Sequence, residues 1–214
     1  MAIFSLLLKL IYFMLPAYLA NMAPVFGKYI FSKWTLTPID FGIEIRGKPL
    51  FGKHKTIGGF LFALIVAVSV GYLQFLLYPR LKNYCFVNYQ ILWLNLSLLM
   101  GIGAMTGDLV KSFFKRRLNL KAGKPWFPFD ELDFVIGALI FISPIYFPGW
   151  LNTFFIVIIS MAGHILTNWI GYLIKVKKKR DVIDVPSYWV KVLKKLRKKG
   201  EEGIREHKKA SEAE

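Results

Sequence analysis

The feature that most constrains this chain is a series of apolar segments, each close to the length that a helix needs to cross a lipid bilayer, about 17–25 residues. Hydrophobic residues make up 55% of the 214 positions, whereas soluble domains contain roughly 45–50%. We therefore predict an all-α integral membrane protein with five transmembrane helices. The predicted spans are Ile3–Leu19, Phe60–Tyr78, Ile91–Val110, Leu132–Phe147 and Thr153–Ile174.

The first and fourth predicted spans depart from the usual pattern. The first span lacks the small-residue cleavage site of a signal peptide, and we expect it to be retained as a helix. The fourth span is short and has Pro144 near its end. A short span is accommodated by local thinning of the bilayer or by packing against neighbouring helices.

Basic residues fall almost entirely on one side of the predicted membrane. Segment 21–58 carries six, connection 111–130 carries six, and the tail from Lys175 onward carries fourteen. The opposite face carries only Lys9, Arg80 and Lys82. Because cytoplasmic loops are enriched in Lys and Arg, we predict an N-terminus outside, a cytoplasmic C-terminus, and long cytoplasmic loops at 21–58 and 111–130.

The strong positive charge, +16 overall, would suggest nucleic acid as the partner of a soluble chain. In a hydrophobic chain it is typical of segments that lie beside anionic lipid, so we expect a membrane and no nucleic acid or obligate protein partner. We predict a transmembrane domain over residues 1–175 and a basic tail over 176–214. Within the tail, 187–199 has the spacing of an amphipathic surface helix; a solvated tail is the alternative.

Acidic residues are grouped where the third and fourth spans meet the cytoplasmic side. Asp108 ends the third span and shares a helical face with Ser112 and Lys115 if the helix continues. Asp130 and Asp133 stand three residues apart before the fourth span. A carboxylate at a membrane boundary is costly unless it is paired or binds a metal, and Mg²⁺ prefers such hard oxygen ligands. We therefore predict that these three aspartates bind magnesium.

The residues of the third span also have a purely structural interpretation. Asp108 could form a salt bridge with Lys111 or Lys115 instead of binding a metal. Gly103 and Gly107 are four residues apart, a spacing that favours close packing of a neighbouring helix. Close packing and a functional role for Asp108 are compatible.

The acidic residues before the fourth span have their own structural alternative. Asp130 could be the N-cap of the helix, with Glu131 and Asp133 in its first turn, where negative charge is favourable. We expect Glu131 to be a capping or solvated residue in either case.

The first cytoplasmic loop ends in a glycine-rich basic stretch, residues 47–59. Glycines flank Lys55 and Thr56 just before the second span, an arrangement in which backbone amides and a helix N-terminus can meet phosphate. The stretch lacks the spacing of a Walker loop. An ordinary basic loop beside the membrane is the alternative.

Several of these motifs together resemble a known family. The signature of the CTP-dependent phosphatidate cytidylyltransferases resembles Gly107-Asp108-Leu-Val-Lys-Ser112-Phe-Phe-Lys115-Arg116, followed by Lys121, Pro128 and Asp130-Glu-Leu-Asp133. The chain from Leu15 to Ile174 is more similar to their archaeal branch, the CDP-archaeol synthases. This similarity includes Leu15-Pro-Ala-Tyr-Leu-Ala-Asn21-Met-Ala-Pro24, Pro38-Ile-Asp40-Phe-Gly42 and Phe51-Gly52-Lys53-His54-Lys55-Thr56.

The resemblance implies a reaction in which CTP and the isoprenoid lipid 2,3-bis-O-geranylgeranylglycerol 1-phosphate give a CDP-activated lipid and pyrophosphate, with magnesium. It implies a cell-membrane enzyme whose active site faces the cytoplasm. Carried over by position, the catalytic residues are Asp108, Lys115 and Arg116, and the metal ligands are Asp108, Asp130 and Asp133. The residues implied to contact substrates are Asn21, Lys55, Thr56, Lys111, Ser112 and Lys121.

Some positions differ from the family pattern, and other functions stay open. Glu131 stands where the bacterial signature has a basic residue, which favours the archaeal branch. Ile57 and Gly58 replace a Trp and an Arg that relatives often have after Lys-Thr. The alternatives are another CTP-dependent lipid enzyme, either a phosphatidate cytidylyltransferase or a polyprenol kinase, and a transporter, which would need ionisable residues deep within its spans.

Overall fold

The computed structural model describes residues 2–30, 37–120 and 126–173, which form five α-helices and a two-stranded sheet. In chain order these are α1 (Ala2–Ile30), β1 (Glu44–Ile45), β2 (Lys48–Pro49), α2 (Ile57–Leu81), α3 (Tyr89–Arg117), α4 (Phe129–Ile142) and α5 (Trp150–Leu173). The packing described below lies within the first of two compact units, Met1–Thr167. Lys121 and the predicted helix 187–199 lie outside the described residues.

Three of the described helices are long and apolar enough to cross a membrane: Ile3–Gly27, Ile57–Tyr84 and Tyr89–Arg117. The α4 helix has 14 residues, and the apolar stretch Trp150–Gly163 at the start of α5 is also shorter than these three. The chain is therefore a mostly helical membrane protein. The complete five-span topology and the orientation of the termini stay predictions.

Helix α1 continues well beyond the predicted end of the first span at Leu19. It ends at Ile30 and contains Pro16 and Pro24, so the first part of the predicted loop 21–58 is helical. Proline removes one backbone hydrogen bond from a helix, but membrane helices tolerate it because neighbouring groups satisfy the backbone.

Helices α3 and α4 also differ from their predicted spans. Helix α3 continues past Val110 to Arg117, which places Asp108 and Ser112 on one continuous helix. Helix α4 begins at Phe129 and ends at Ile142, just before Pro144, whose nitrogen has no N–H to continue the helical hydrogen bonds. The prediction of a fourth span ending at Phe147 was therefore too long at this end.

The start of α4 corrects two expectations about its acidic residues. The N-cap is Pro128 and not Asp130, since the helix already begins at Phe129. Glu131 was expected to be capping or solvated, but its side chain is fully buried. It lies on the face of α4 that packs into the protein, with Phe134 and Val135.

The core lies mainly between α1, α3 and α4. It is built from buried side chains that include Leu10, Phe13, Met14, Leu96, Met100, Val135 and Ile142. The rings of Phe13 and Phe86 pack edge to face, with centroids 6.2 Å apart. Because lipid is as apolar as these side chains, close packing is what favours helix association.

The contact between α3 and α4 is made by backbone atoms. A Cβ added at Gly103 would collide with the carbonyl oxygen of Gly137, and one added at Gly107 would collide with the carbonyl oxygen of Asp133. The predicted small-residue packing face is thus confirmed. It brings the end of α3 directly against the start of α4.

The segment between α1 and α2 contains a β-hairpin that the sequence analysis did not predict. Strands β1 and β2 are antiparallel, with Ile45 opposite Lys48. The two turn residues have positive φ angles, 53° for Arg46 and 69° for Gly47, as the favoured type I′ hairpin turn requires. We call residues 37–56, which contain this hairpin, the strap.

Candidate active site

Three carboxylates from two helices converge on one lysine. The Lys111 ammonium lies 3.2 Å from Asp108 Oδ1, 3.3 Å from Asp130 Oδ1 and 2.6 Å from Asp133 Oδ2. Lys111 and Asp108 belong to α3, whereas Asp130 and Asp133 belong to α4. The glycine contact between the two helices makes this convergence possible, because it brings their backbones together at Gly107 and Asp133.

Two further lysines complete this carboxylate cluster. The Lys115 ammonium donates to both oxygens of Asp130, at 2.7 and 2.9 Å, and the Lys55 ammonium donates to Asp108 Oδ2. The side chains of the three aspartates are between 5% and 14% exposed. Asp108 therefore forms the salt bridge with Lys111 that was the structural alternative. It also forms a salt bridge with Lys55 of the strap, which was not predicted.

A cavity of about 350 Å³ adjoins this cluster. It lies between the C-terminal part of α1, the strap, the N-terminus of α2 and the α3 helix. Its lining includes Lys53, Lys55, Thr56, Gly58, Gly59 and Asp108. Asp108 therefore belongs both to the cavity wall and to the carboxylate cluster.

Thr56 links the strap to the first turn of α2. It is the N-cap residue, and its hydroxyl oxygen accepts a hydrogen bond from the Gly59 amide at 3.1 Å. The N-terminus of a helix carries partial positive charge and attracts anions. The cavity thus combines a helix N-terminus with lysine side chains, which suits a phosphate-bearing ligand.

Two other predicted residues lie on α3 beyond Asp108. The Ser112 hydroxyl donates to the backbone carbonyl of Asp108 at 2.8 Å, and its side chain is buried. Arg116 lies beside the strap, with its Cδ 3.8 Å from where a Cβ on Gly52 would lie. Within the described residues its buried Nε has no hydrogen-bond partner.

Asn21 lines a second cavity, which is separate from the one lined by Lys55 and Thr56. This cavity has a volume of about 250 Å³, and its lining includes Tyr18, Phe134 and Ser160. The hydroxyls of Tyr18 and Ser160 are 2.7 Å apart, joining α1 to α5. Apolar side chains form most of the remaining wall.

Asp40 holds the strap together, a role that the sequence analysis missed. Its side chain is only 4% exposed and accepts hydrogen bonds from the amides of Gly42, Phe51 and Gly52 at 2.9–3.1 Å. Burial by itself would raise the pKa of Asp40, but these amide hydrogen bonds outweigh it and hold the pKa below its ordinary value. The Asp-x-Gly spacing is a sequence signal for the local Asx turn, but the bonds to Phe51 and Gly52 depend on the fold of the strap.

The carboxylate cluster can be tested for its fit to magnesium. Among the described residues, no three His, Cys, Asp or Glu side chains form a ready metal site, and the point of convergence is taken by the Lys111 ammonium. Three carboxylates that already surround a cation provide the hard oxygen donors that Mg²⁺ uses together with substrate phosphates. The residues present therefore fit a divalent ion bound with substrate.

Comparison with known proteins places the chain in a family. The family model described as CarS-like, CDP-archaeol synthase, matches residues 3–181. The chain belongs to the CDP-archaeol synthase family. The CDP-archaeol synthase of Pyrococcus furiosus is 36% identical over 172 residues, covering 80% of this chain and 96% of that protein. The CDP-archaeol synthase of Methanococcoides burtonii is 39% identical over 180 residues, covering 77% of this chain and 98% of that protein.

A solved structure supports the same assignment. It is described as an intramembrane enzyme for archaeal membrane lipids biosynthesis, with 30% sequence identity and a TM-score of 0.63. The match covers 74% of this chain and 91% of that one. As a member of the CDP-archaeol synthase family, the chain is a membrane enzyme that performs CTP-dependent cytidylyl transfer in archaeal lipid synthesis. The family resemblance and the enzyme class predicted from the sequence are confirmed, and the transporter alternative is wrong.

Proposed function

We propose that this protein transfers CMP from CTP to the phosphate of 2,3-bis-O-geranylgeranylglycerol 1-phosphate and releases pyrophosphate. The observation that carries the proposal is the position of Asp108. It lines the cation-rich cavity next to the N-terminus of α2, and it is also part of the carboxylate cluster. A nucleotide triphosphate in the cavity would thus lie directly beside the acidic residues.

The proposed reaction needs no nucleophile from the protein. Phosphomonoesters lose their second proton near pH 6, so the lipid phosphate is itself a dianionic nucleophile. One of its oxygens attacks the α-phosphorus of CTP, the bond from that phosphorus to the oxygen bridging to the β-phosphate breaks, and pyrophosphate leaves. The difficulty is the approach of two anions, and neutralising their charge lowers that barrier.

Four basic residues of the site have a place in this proposal. Lys55, with the N-terminus of α2, would hold the triphosphate in the cavity. Arg116, which lies beside the strap, would donate to a phosphate oxygen. Lys111 and Lys115 keep the three carboxylates together and contribute positive charge beside the reacting phosphates.

We propose Asp108, Asp130 and Asp133 as the magnesium ligands, with two divalent ions as the expected number. Magnesium bound there would supply positive charge to the attacking and leaving oxygens. The carboxylates are already gathered within 3.3 Å of one cation, so little rearrangement of α3 and α4 is needed. Lys111 must then move from its present position to make room for an ion.

The second cavity is a candidate binding site for the lipid substrate. Its lining is mainly apolar and includes Phe134, one residue after Asp133 in α4. We propose that an isoprenoid chain occupies this cavity, with Asn21 as a polar contact. The lipid phosphate would then approach the carboxylate cluster from the membrane, while CTP enters from the cytoplasmic side predicted by the charge distribution.

Isotope-labelled CTP tests the proposed function. Purified protein in detergent would be incubated with magnesium and either the isoprenoid glycerol phosphate or phosphatidate, and pyrophosphate release would be followed. We expect label from the α-phosphate of CTP to enter the isoprenoid lipid. Transfer of γ-label would indicate a kinase, and faster reaction with phosphatidate would indicate the wrong lipid; either result would contradict the proposal.

A further inference from the structure

The C-terminal end of α3 is fastened to the hairpin of the strap by one side chain. The Arg117 guanidinium donates to the carbonyl oxygens of Ile45, Lys48 and Pro49 at 2.7, 3.0 and 2.6 Å. In return, the Lys48 ammonium donates to the backbone carbonyl of Arg117 at 3.1 Å. One residue of α3 thus makes four hydrogen bonds with the hairpin.

The guanidinium group suits this attachment better than an ammonium would. Its donors lie in a fixed plane, so one side chain can reach three carbonyl groups of the hairpin at once. The Phe113 ring lies beneath the guanidinium, 5.2 Å from its carbon to the ring centroid, which restricts its orientation. The carbonyl that receives Lys48 is at the C-terminus of α3, where a positive charge is favourable.

Helix α3 connects this attachment to the cavity. Arg117 and Asp108 are nine residues apart on the same helix, about 13 Å along its axis. The strap meets α3 at both points, through the hairpin at Arg117 and through Lys55 at Asp108. Between these points the strap carries Lys53 into the cavity wall, and Asp40 ties its two halves together.

We propose that Arg117 is a positioning residue, which fixes the strap along α3 so that Lys53 and Lys55 are held ready for the triphosphate of CTP. This inference rests on the proposed function and deepens it. Arg117 lines neither of the two cavities, and it acts through the hairpin and not by contact with a substrate. Its loss should therefore weaken nucleotide binding more than the chemical step.

Kinetics of two variants test this inference. In Arg117→Met we expect the KM for CTP to rise about tenfold, the effect of losing hydrogen bonds to a charged donor, with less than about threefold change in kcat. The KM of Arg117→Lys should lie between that of this variant and that of the wild type, because the compact ammonium keeps the charge but lacks the planar fork that reaches the three carbonyl oxygens together. Arg80→Met is the matched control, since Arg80 is exposed at the far end of α2, and it should leave both constants unchanged.

Hydrogen exchange of the backbone amides supplies a readout that does not depend on activity. We expect amides of residues 42–52 to exchange faster in Arg117→Met than in the wild type, with α3 and α4 unaffected. Unchanged exchange in the strap, or faster exchange with an unchanged KM for CTP, would overturn the proposal. If Arg117→Met does not fold, the same comparison of exchange and KM with the wild type is made with Arg117→Lys.

The two proposals can fail separately. If the wild-type protein does not transfer CMP, the proposed function is wrong, whereas the exchange comparison still decides whether Arg117 holds the strap. If the wild type is active and the Arg117 variants have normal KM values, only the positioning role is wrong.

Discussion

Lys111 is the residue around which the acidic groups of the site are arranged. Its ammonium is within 3.3 Å of three carboxylates, and its side chain is only 15% exposed. Three aspartates so close together would repel one another without a cation among them. The protein therefore supplies its own cation at the place where we propose that divalent ions bind.

Replacing Lys111 with Met should destabilise the protein by roughly 3 kcal/mol, because removing one partner leaves buried charges without compensation. Magnesium should restore part of this loss in the variant, since it returns positive charge to the same place. Chemical denaturation in detergent, with and without magnesium, measures both effects. Lys82→Met, at an exposed position, is the control; equal stability of the two variants would contradict the role given to Lys111.

Asp108 is the one acidic residue shared by the cavity and the cluster. We expect Asp108→Asn to lower kcat by roughly a hundredfold or more, because the loss removes an electrostatic contribution at the reacting phosphates. The protein should stay folded, as judged by its circular dichroism and elution in detergent. Near wild-type turnover would rule out a metal-binding role for this carboxylate.

The sequence predicted some of these residues and missed others for a physical reason. The grouping of Asp108, Asp130 and Asp133 was predicted because a carboxylate at a membrane boundary is costly without a partner, whereas their role as metal ligands stays a prediction. Asp40 and Arg117 were missed because most of their partners are backbone groups, whose positions depend on a hairpin that the sequence did not reveal. Glu131 was misjudged because its burial depends on which face of α4 packs inward.

At the scale of secondary-structure elements, the close contact of α3 and α4 determines the shape of the carboxylate cluster. The glycines at 103, 107 and 137 bring the two backbones together. Asp108 follows Gly107 directly, and the carbonyl of Asp133 lies against Gly107. A side chain at this contact would therefore separate the aspartates as well as the helices.

Gly107→Ala should lower both stability and activity. The added methyl group would meet the carbonyl oxygen of Asp133, and overpacking of this kind typically costs about 1–3 kcal/mol. Gly163→Ala is the matched control for stability, because a Cβ there meets no atom within 4 Å. Thermal unfolding of both variants in detergent checks the prediction, and equal midpoints would contradict it.

The stability of the strap should depend on the negative charge of Asp40. Because the pKa of Asp40 is lowered in the folded protein, its contribution to stability is present above about pH 4 and is lost as the pH falls through the folded-state pKa. Asp40→Asn should mimic this loss at neutral pH, since an amide group would face backbone donors with an N–H of its own. We expect faster exchange of the strap amides and a higher KM for CTP.

Glu44→Gln provides the comparison for Asp40→Asn. Glu44 is also an acidic residue of the strap, but it is exposed. Neutralising it should therefore change neither the exchange of the strap amides nor the KM for CTP. Similar effects in the two variants would indicate that overall charge, and not the hydrogen bonds of Asp40, stabilises the strap.

At the scale of the whole molecule, the sequence predicted the number and order of helices better than their ends. Hydropathy identified five apolar segments, and five α-helices lie in the described part of the chain. It placed the end of the first span at Leu19, before Asn21, whereas the apolar stretch of α1 continues to Gly27 and the helix itself to Ile30. Hydropathy measures contact with lipid, and a helix can continue beyond it.

The orientation of the protein can be tested by labelling single cysteines from each side of the membrane. In a Cys85→Ser background, Arg46→Cys in the hairpin turn and Arg80→Cys at the end of α2 occupy exposed positions. We expect an impermeant maleimide to reach position 46 only from the cytoplasmic side and position 80 only from the outside. Labelling of both from one side would contradict the predicted topology.

The backbone contact of α3 with α4 has a consequence for how the enzyme responds to its surroundings. Where side chains separate two helices, they can change rotamer and so allow a small shift between the helices. Where two backbones are in contact at glycine, no side chain is present to do this, so the distance between the helices is fixed. Thickening, thinning or bending of the surrounding lipid should therefore tilt the two helices as one body. The spacing of the acidic groups would then be the same in membranes of different thickness.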